Sequence, residues 1–379
     1  MTTDFRALFG QLLQLPSVSS ANAKIDMGNR NVVELLANAF TDLGFTCELM
    51  PLPNQSHKAN LIATYGSGTG GLVLAGHTDT VPFDEALWSV NPLQLTEQDG
   101  RLYGLGSTDM KGFFALVHAA VQPLLNQVFK APLIILATAD EESSMEGARA
   151  LVQQGRKFGR YALIGEPTGL KPINRHKGVL MERLQVQGQS GHSSNPALGK
   201  NALEAMHEMI GALLDFRSRL QQRFQDPHFA IDVPTLNLGV IQGGDNPNRI
   251  CGHCALEFDV RMLPGMHSAE LRNDIRALIE PIACRHQVQF TYTPLFAGAE
   301  AFANDHSEML QVCEQLTGAS GQSVAFGTEA PFLQQLGLDT IVLGPGSINV
   351  AHQPDEYMAL DQVQPCITLI QQLVTRFCL

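Results

Sequence analysis

Leu72-Val73-Leu74-Ala75-Gly76-His77-Thr78-Asp79-Thr80-Val81-Pro82 is the stretch that decides the fold. Four apolar residues in a row predict a strand covered on both faces. The run then delivers a histidine and an aspartate two residues apart, and Pro82 ends it. In an open α/β sheet, ligands bind beyond the carboxyl ends of the strands. A neutral imidazole is the commonest metal ligand, and its second nitrogen needs a partner that sets the tautomer. Taken alone, the segment fits a metal site and a hydrogen-bonded structural histidine equally well.

Four further segments put polar groups where predicted strands end or a helix begins. Gly104-Leu105-Gly106-Ser107-Thr108-Asp109-Met110-Lys111-Gly112 places Asp109 in a glycine-rich loop ahead of a helix at Phe113 to Val121. Ala139-Asp140-Glu141-Glu142-Ser143 follows the apolar run Leu133 to Ala137. Gly165-Glu166-Pro167-Thr168 follows Tyr161 to Ile164, and Gly346 to His352 follows Thr340 to Leu343. Each has an ordinary explanation. Asp109 could cap a helix, and the glutamate pair could sit in a first helical turn. Glu166 could be a loop charge and His352 a surface histidine. Recurrence at one edge of one predicted sheet argues otherwise. Carboxylates gathered without a cation repel one another and lose hydration. Histidine nitrogen and carboxylate oxygen suit zinc. Two histidines and three carboxylates exceed one tetrahedral catalytic site with an open position. They suit two ions about 3.5–4 Å apart that share a carboxylate. Asp79 and one of the two adjacent glutamates are then left for orientation and proton transfer.

The rest of the chain sets the boundaries. Its 379 residues allow two domains. A net charge of −12 argues against nucleic acid as a main partner. No apolar run reaches the roughly 18 residues of a membrane span. Met1-Thr2-Thr3-Asp4-Phe5-Arg6 has no secretion-signal pattern, which leads us to expect a cytoplasmic protein. The seven cysteines are an odd, scattered set and are expected to be reduced thiols. Cys251 and Cys254 lack a second pair at zinc spacing and read as strand residues. Helices are expected at Phe5 to Leu15 and Asn29 to Leu43, the second closed by Gly44. After about Lys177 the pattern changes. Val179 to Val186, Thr235 to Ile241, Ala255 to Met262 and Val288 to Thr293 read as strands, with helices at Asn201 to Arg217 and Ser268 to Ile279. This β-α-β-β-α-β order is that of a ferredoxin-like sandwich, inserted into the larger α/β pattern that returns near Pro294. Gly66 to Gly71 fits G-x-G-x-x-G, but a strand follows it rather than a helix. It reads as a glycine-rich hairpin turn.

The chain resembles the M20 family of di-zinc amidohydrolases and deacylases over its whole length. The resemblance lies in His77 to Phe83, Leu102 to Phe114, Gly165 to Gly169, Arg175-His176-Lys177-Gly178, Asn237 to Ile241 with Gly243-Gly244-Asp245, and Asn248-Arg249-Ile250. It implies a zinc-aminopeptidase-like catalytic domain over 1–177 and 293–379, with a mixed, largely parallel sheet. It also implies an inserted α+β lid and dimerisation domain over 178–292. His77 and Glu166 are expected to hold one zinc, Glu142 and His352 a second, and Asp109 both, with cobalt able to substitute. A cis peptide is expected after Asp109. Asp79 is expected to orient His77, and Glu141 to act as general base. His192 is expected to reach the active site of a partner subunit in a homodimer. The implied reaction is hydrolysis of an amide in a small N-acyl amino acid, with a peptide as the other substrate class. Arg249, Asn248, Gly327 and Thr328 are candidates for binding the substrate carboxylate, an Arg fork being well matched to one. Glu329 is a candidate for meeting a substrate amine, and Arg261 for a structural ion pair.

Overall fold

The computed structural model describes residues 5–53 and 55–379. The chain divides into two units. One comprises the residues up to Asn174 with Asn304–Gln322 and Thr328–Leu379, the other Arg175–Ala303 with Ser323–Gly327. The division lies at 174/175 and 303/304, where the sequence pattern suggested 177/178 and 292/293. Phe302 and Ala303 pair with His176 and Arg175.

The first unit is built on a mixed sheet. Its strands run in the order Thr46–Leu52, Gln55–Tyr65, Leu133–Thr138, Leu72–His77, Tyr161–Pro167, Asp339–Gly344, then the start of Ile173–His176. Leu133–Thr138, Leu72–His77, Tyr161–Pro167 and Asp339–Gly344 are parallel, and the outer strands antiparallel. The first three of these central strands are buried at every residue. A parallel strand with layers on both faces has no wet side, hence the unbroken apolar runs. Helix Lys111–Val121 is buried along almost its whole length and packs against helices Phe5–Gln14 and Val363–Cys378. Its lack of a polar stripe is the signature of a helix covered on all sides.

The glycine-rich segment is not a hairpin. Leu133–Thr138 lies between Gln55–Tyr65 and Leu72–His77, so Gly66 to Gly71 is a crossover loop. Gly66, Gly68, Gly70 and Gly71 all have positive φ, which explains the composition without a phosphate.

The second unit has a four-stranded antiparallel sheet in the order Thr235–Gly243, His253–Met262, Gly178–Gln187, Gln289–Pro294. Helices Ala202–Arg223 and Ser268–His286 share its apolar core. This is the ferredoxin-like strand order. Ser268–His286 runs through Pro281, past the expected end at Ile279. Ile282 and Ala283 are buried against the core, and that burial carries the helix past the missing N–H. Cys254 lies in the strand His253–Met262, and Cys251 just ahead of it.

Candidate metal centre

Parallel strands end at one edge, and that geometry gathers the site. His77 is the last residue of Leu72–His77, and Glu166 lies near the end of the neighbouring Tyr161–Pro167. Glu141 and Glu142 follow Leu133–Thr138, and His352 lies in the loop after Asp339–Gly344. Asp109 precedes helix Lys111–Val121, whose N-cap is Met110, so Asp109 does not cap it. The Asp109–Met110 peptide is cis.

Asp109 stands between the two histidines. Its Oδ1 is 2.9 Å from His77 Nε2, and its Oδ2 is 3.3 Å from His352 Nε2. His352 Nε2 is also 3.1 Å from Glu142 Oε1. His77 Nε2 is 3.9 Å from Glu166 Oε1. One atom each from His77, Asp109 and Glu142 lies within 4.8 Å of the others. His77 is 1% exposed, whereas the His352 side chain is 49% exposed and marks the open side.

Two buried carboxylates shape this arrangement from behind. The Asp79 carboxylate accepts the backbone N–H of Glu141 at 3.2 Å and that of Glu142 at 3.0 Å. His77 Nδ1 instead donates to the main-chain carbonyl of Asp79 at 2.9 Å, with the carboxylate 3.7 Å away. Asp79 therefore takes the His77 hydrogen bond on its backbone carbonyl, while its side-chain hydrogen bonds hold the glutamate turn. Asp140, at φ +66°, anchors the same turn. It accepts from Lys58 Nζ at 2.6 Å, Ser19 Oγ at 2.6 Å and Ser144 Oγ at 2.8 Å.

The electrostatics are those of a cation site. Burial pushes Glu141, Glu142 and Glu166 above the usual carboxylate range, and neighbouring carboxylates add to it. Burial opposes the charged form of His77, but its hydrogen bond to Asp109 and the charges of Glu166, Asp109 and Asp79 hold it well above the usual value. Hydrogen bonds to Asp109 and Glu142 push His352 up to about 10. Burial also works against Asp109, yet the two histidines keep its carboxyl well below the usual range. Carboxylates and imidazoles gathered in this way are donors of the types zinc accepts, and cations between them would offset the carboxylate charge. With its Nδ1 hydrogen on the Asp79 carbonyl, His77 has Nε2 as its ligand atom.

The other candidates divide between the units. Thr328 is buried in the first, and its hydroxyl accepts the N–H of Ala330 at 3.1 Å. Glu329 Oε2 accepts from Thr138 Oγ1 at 2.7 Å, and burial pushes its carboxyl up to about 7. In the second unit, His192 and Arg249 pair as an isolated β-bridge, and Ser193 donates to the Asn248 carbonyl at 3.1 Å. Arg249 forms an exposed ion pair with Asp245. His192 Nδ1 accepts from Ser194 N at 3.2 Å, which puts the ring proton on Nε2. Gly327 lies in the same unit. Arg261 pairs with Asp259 in its own strand.

Sequence reading missed Lys58, Asp140 and Glu356. Asp140 lies inside the Ala139 to Ser143 segment without having been given a role, and Glu356 lies four residues beyond His352. Nothing local marked them as buried carboxylates.

Residues 73–376 match the sequence model of peptidase family M20/M25/M40. The chain belongs to this family. It is 48% identical over 378 residues to the acetylornithine deacetylase of Edwardsiella ictaluri (strain 93-146), with 99% of this chain and 98% of that protein covered. In fold it is similar to an M20 family metallo-carboxypeptidase from Sulfolobus solfataricus, with a TM-score of 0.75, 16% identity and 99% of each chain covered. A dinuclear metal-binding peptidase of the M20 family from Bacillus subtilis aligns with a TM-score of 0.69 and 13% identity, over 99% of this chain and 98% of that one. These two likenesses bear on the fold. Within the M20 family the deacetylase likeness is the one that speaks to substrate.

Proposed function

We propose that this M20 hydrolase converts N2-acetyl-L-ornithine and water to L-ornithine and acetate, a step of arginine biosynthesis. The chemistry rests on one observation: Asp109 offers one carboxylate oxygen to each of two histidines, each with a further carboxylate beside it. The substrate rests on the full-length likeness to an acetylornithine deacetylase.

In this reading His77 and Glu166 would hold one ion and His352 and Glu142 a second, with Asp109 available to both. Zinc suits the donors, and cobalt can replace it. Such ions supply polarisation of the amide carbonyl and lower the pKa of water toward roughly 7. Glu141 takes the proton of the attacking water as the C–O bond forms. It returns that proton to the nitrogen as the C–N bond breaks, and the amine takes up the second proton of the water, leaving acetate and an ammonium group. Its raised carboxyl suits both halves of that exchange. His192 supports the oxyanion with its Nε2 proton from the partner subunit of a homodimer. The edge strand Thr235–Gly243 leaves Val240 and Ile241 exposed, and Leu203 of helix Ala202–Arg223 is exposed too. An open, apolar sheet edge is suited to a second copy of the chain. All seven cysteines are unpaired, which fits the reducing cytoplasm. Among the described residues no helix is long and apolar enough to cross a membrane.

A panel of acetylornithine, succinyl-diaminopimelate, acetylmethionine and dipeptides, assayed with and without chelator, tests the reading. Acetylornithine is expected to give the highest kcat/KM, and the chelator to abolish turnover. Faster cleavage of any other member refutes the substrate, and chelator-resistant turnover refutes the metal centre. Mixing His192→Ala with Glu141→Ala subunits is expected to restore activity. Failure to recover despite subunit exchange refutes the contribution of His192 in trans.

A further inference from the structure

Glu356 is 1% exposed and is used by no step above. Its carboxylate accepts three backbone N–H groups: Gly106 at 3.1 Å, Thr108 at 2.8 Å and Asp109 at 2.9 Å. We infer that Glu356 is a positioning residue that holds Asp109 in its shared place between the two histidines, and so sets the affinity of the centre for its ions. The inference rests on the reading of Asp109 as a shared ligand.

Main-chain bonds fix part of the loop that presents Asp109, with Leu105 N donating to the Pro92 carbonyl at 2.8 Å and Ser107 N to the Gly104 carbonyl at 3.0 Å, but the N–H groups of Gly106, Thr108 and Asp109 go to Glu356 alone. Gly106 turns it at φ +80°, and its buried N–H groups have no strand partner. Three such donors left unpaired are a heavy burden for a buried loop. Glu356 satisfies all three with one side chain. Its own segment is tied down in turn. Thr108 Oγ1 donates to the Tyr357 carbonyl at 2.6 Å, Gly104 N to the Glu356 carbonyl at 3.0 Å, and Tyr357–Ala359 pairs with Arg101–Tyr103.

The same segment carries His352, four residues earlier. One stretch of chain therefore supplies a ring beside Asp109 Oδ2 and a carboxylate on Asp109 N–H. Moving either end moves the shared ligand relative to the second ion. Lys111 does not neutralise Glu356 by direct contact, because its Nζ donates to the carbonyls of Leu12 and Leu15 at 3.1 Å each. A buried carboxylate bound only to amides is costly to keep. Orienting a ligating carboxylate is a role that such a group can fill, and partners of metal ligands typically matter by about 10–100-fold in affinity.

The test uses Glu356→Gln, which keeps the shape but turns one acceptor into a donor facing an N–H. Leu373→Ala is the control, a buried site in helix Val363–Cys378. Zinc affinity is measured by competition with a chromophoric chelator, beside thermal melts of the metal-free forms. Glu356→Gln is expected to bind zinc about 10–100-fold more weakly. Excess zinc is expected to restore its kcat at unchanged KM. Leu373→Ala is expected to melt earlier with ordinary zinc affinity. Unchanged affinity in Glu356→Gln overturns the inference, as does an equal loss in Leu373→Ala. Glu356→Asp, which keeps the charge and loses reach, must show the same weakening. If only that variant folds, ordinary affinity in it overturns the inference as well. A wild-type protein that takes up no zinc sinks the metal-centre reading first, and this inference with it.

Discussion

Asp79→Asn separates two accounts of one residue. In the first, the Asp79 carboxylate orients His77. In the structure, it grips the amides of Glu141 and Glu142, while the Asp79 main-chain carbonyl takes His77 Nδ1. Asparagine keeps that carbonyl. It replaces one of the two accepting oxygens by an amide that confronts an N–H. A hydrogen bond to a charged group is worth about 1.5–3 kcal/mol, so losing one and setting donor against donor withdraws about 3 kcal/mol from the turn. At about 1.4 kcal/mol per tenfold, the ion held by Glu142 binds on the order of 10²-fold more weakly. The ion held by His77 and Glu166 is expected to change little. The assay is zinc competition in two backgrounds, His352→Ala and His77→Ala, each with and without Asp79→Asn. Weakening is expected only in the His77→Ala background, along with a lower kcat in the otherwise native enzyme as Glu141 loses its anchor. Weakening only in the His352→Ala background, or in neither, refutes the turn-clamping account.

Three further outcomes follow from the same geometry. Glu141→Gln is expected to lower kcat by about 10²–10⁴-fold with zinc content unchanged, checked by metal analysis beside turnover; near-normal kcat removes Glu141 as the base. His176 is fully buried and burial pushes it down to about 4. As pH falls below the ordinary histidine value near 6.5, the unfolded chain takes up a proton that the folded chain refuses. Stability is therefore intact above roughly pH 6.5 and declines toward pH 4, by about 3 kcal/mol in all. His176→Leu is expected to flatten that part of the urea-unfolding profile, and an unchanged slope contradicts the burial argument. Gly71 has φ +90°, and a Cβ there would lie 2.1 Å from the Pro132 carbonyl oxygen. Gly71→Ala is expected to destabilise the fold by about 2–4 kcal/mol in denaturant titration, and a neutral result refutes the close approach.

Much of the site was legible before any coordinates. Strand ends announce themselves as apolar runs broken by polar residues, so His77, Glu166 and the Glu141–Glu142 pair could be placed at one edge. The hairpin expected at Gly66 to Gly71 failed for a different reason. Glycines report a need for unusual backbone angles, and both a tight turn and a crossover loop create that need. Likewise the helix expected to end at Ile279 runs on to His286, because the burial that carries it past Pro281 comes from residues distant in sequence.

The sequence by itself determined the classes of donor, the strands that carry them and the family. Those depend on residue type and short-range period, which are local. Only the tertiary structure decided that the Asp79 side chain serves the glutamate turn and that Glu356 gathers three amides of the Asp109 loop. Hydrogen bonds between groups about 250 residues apart leave no periodic trace in a chain. They exist because Tyr357–Ala359 pairs with Arg101–Tyr103 and sets Glu356 beside the Asp109 loop, where buried amides and carboxylates must find partners.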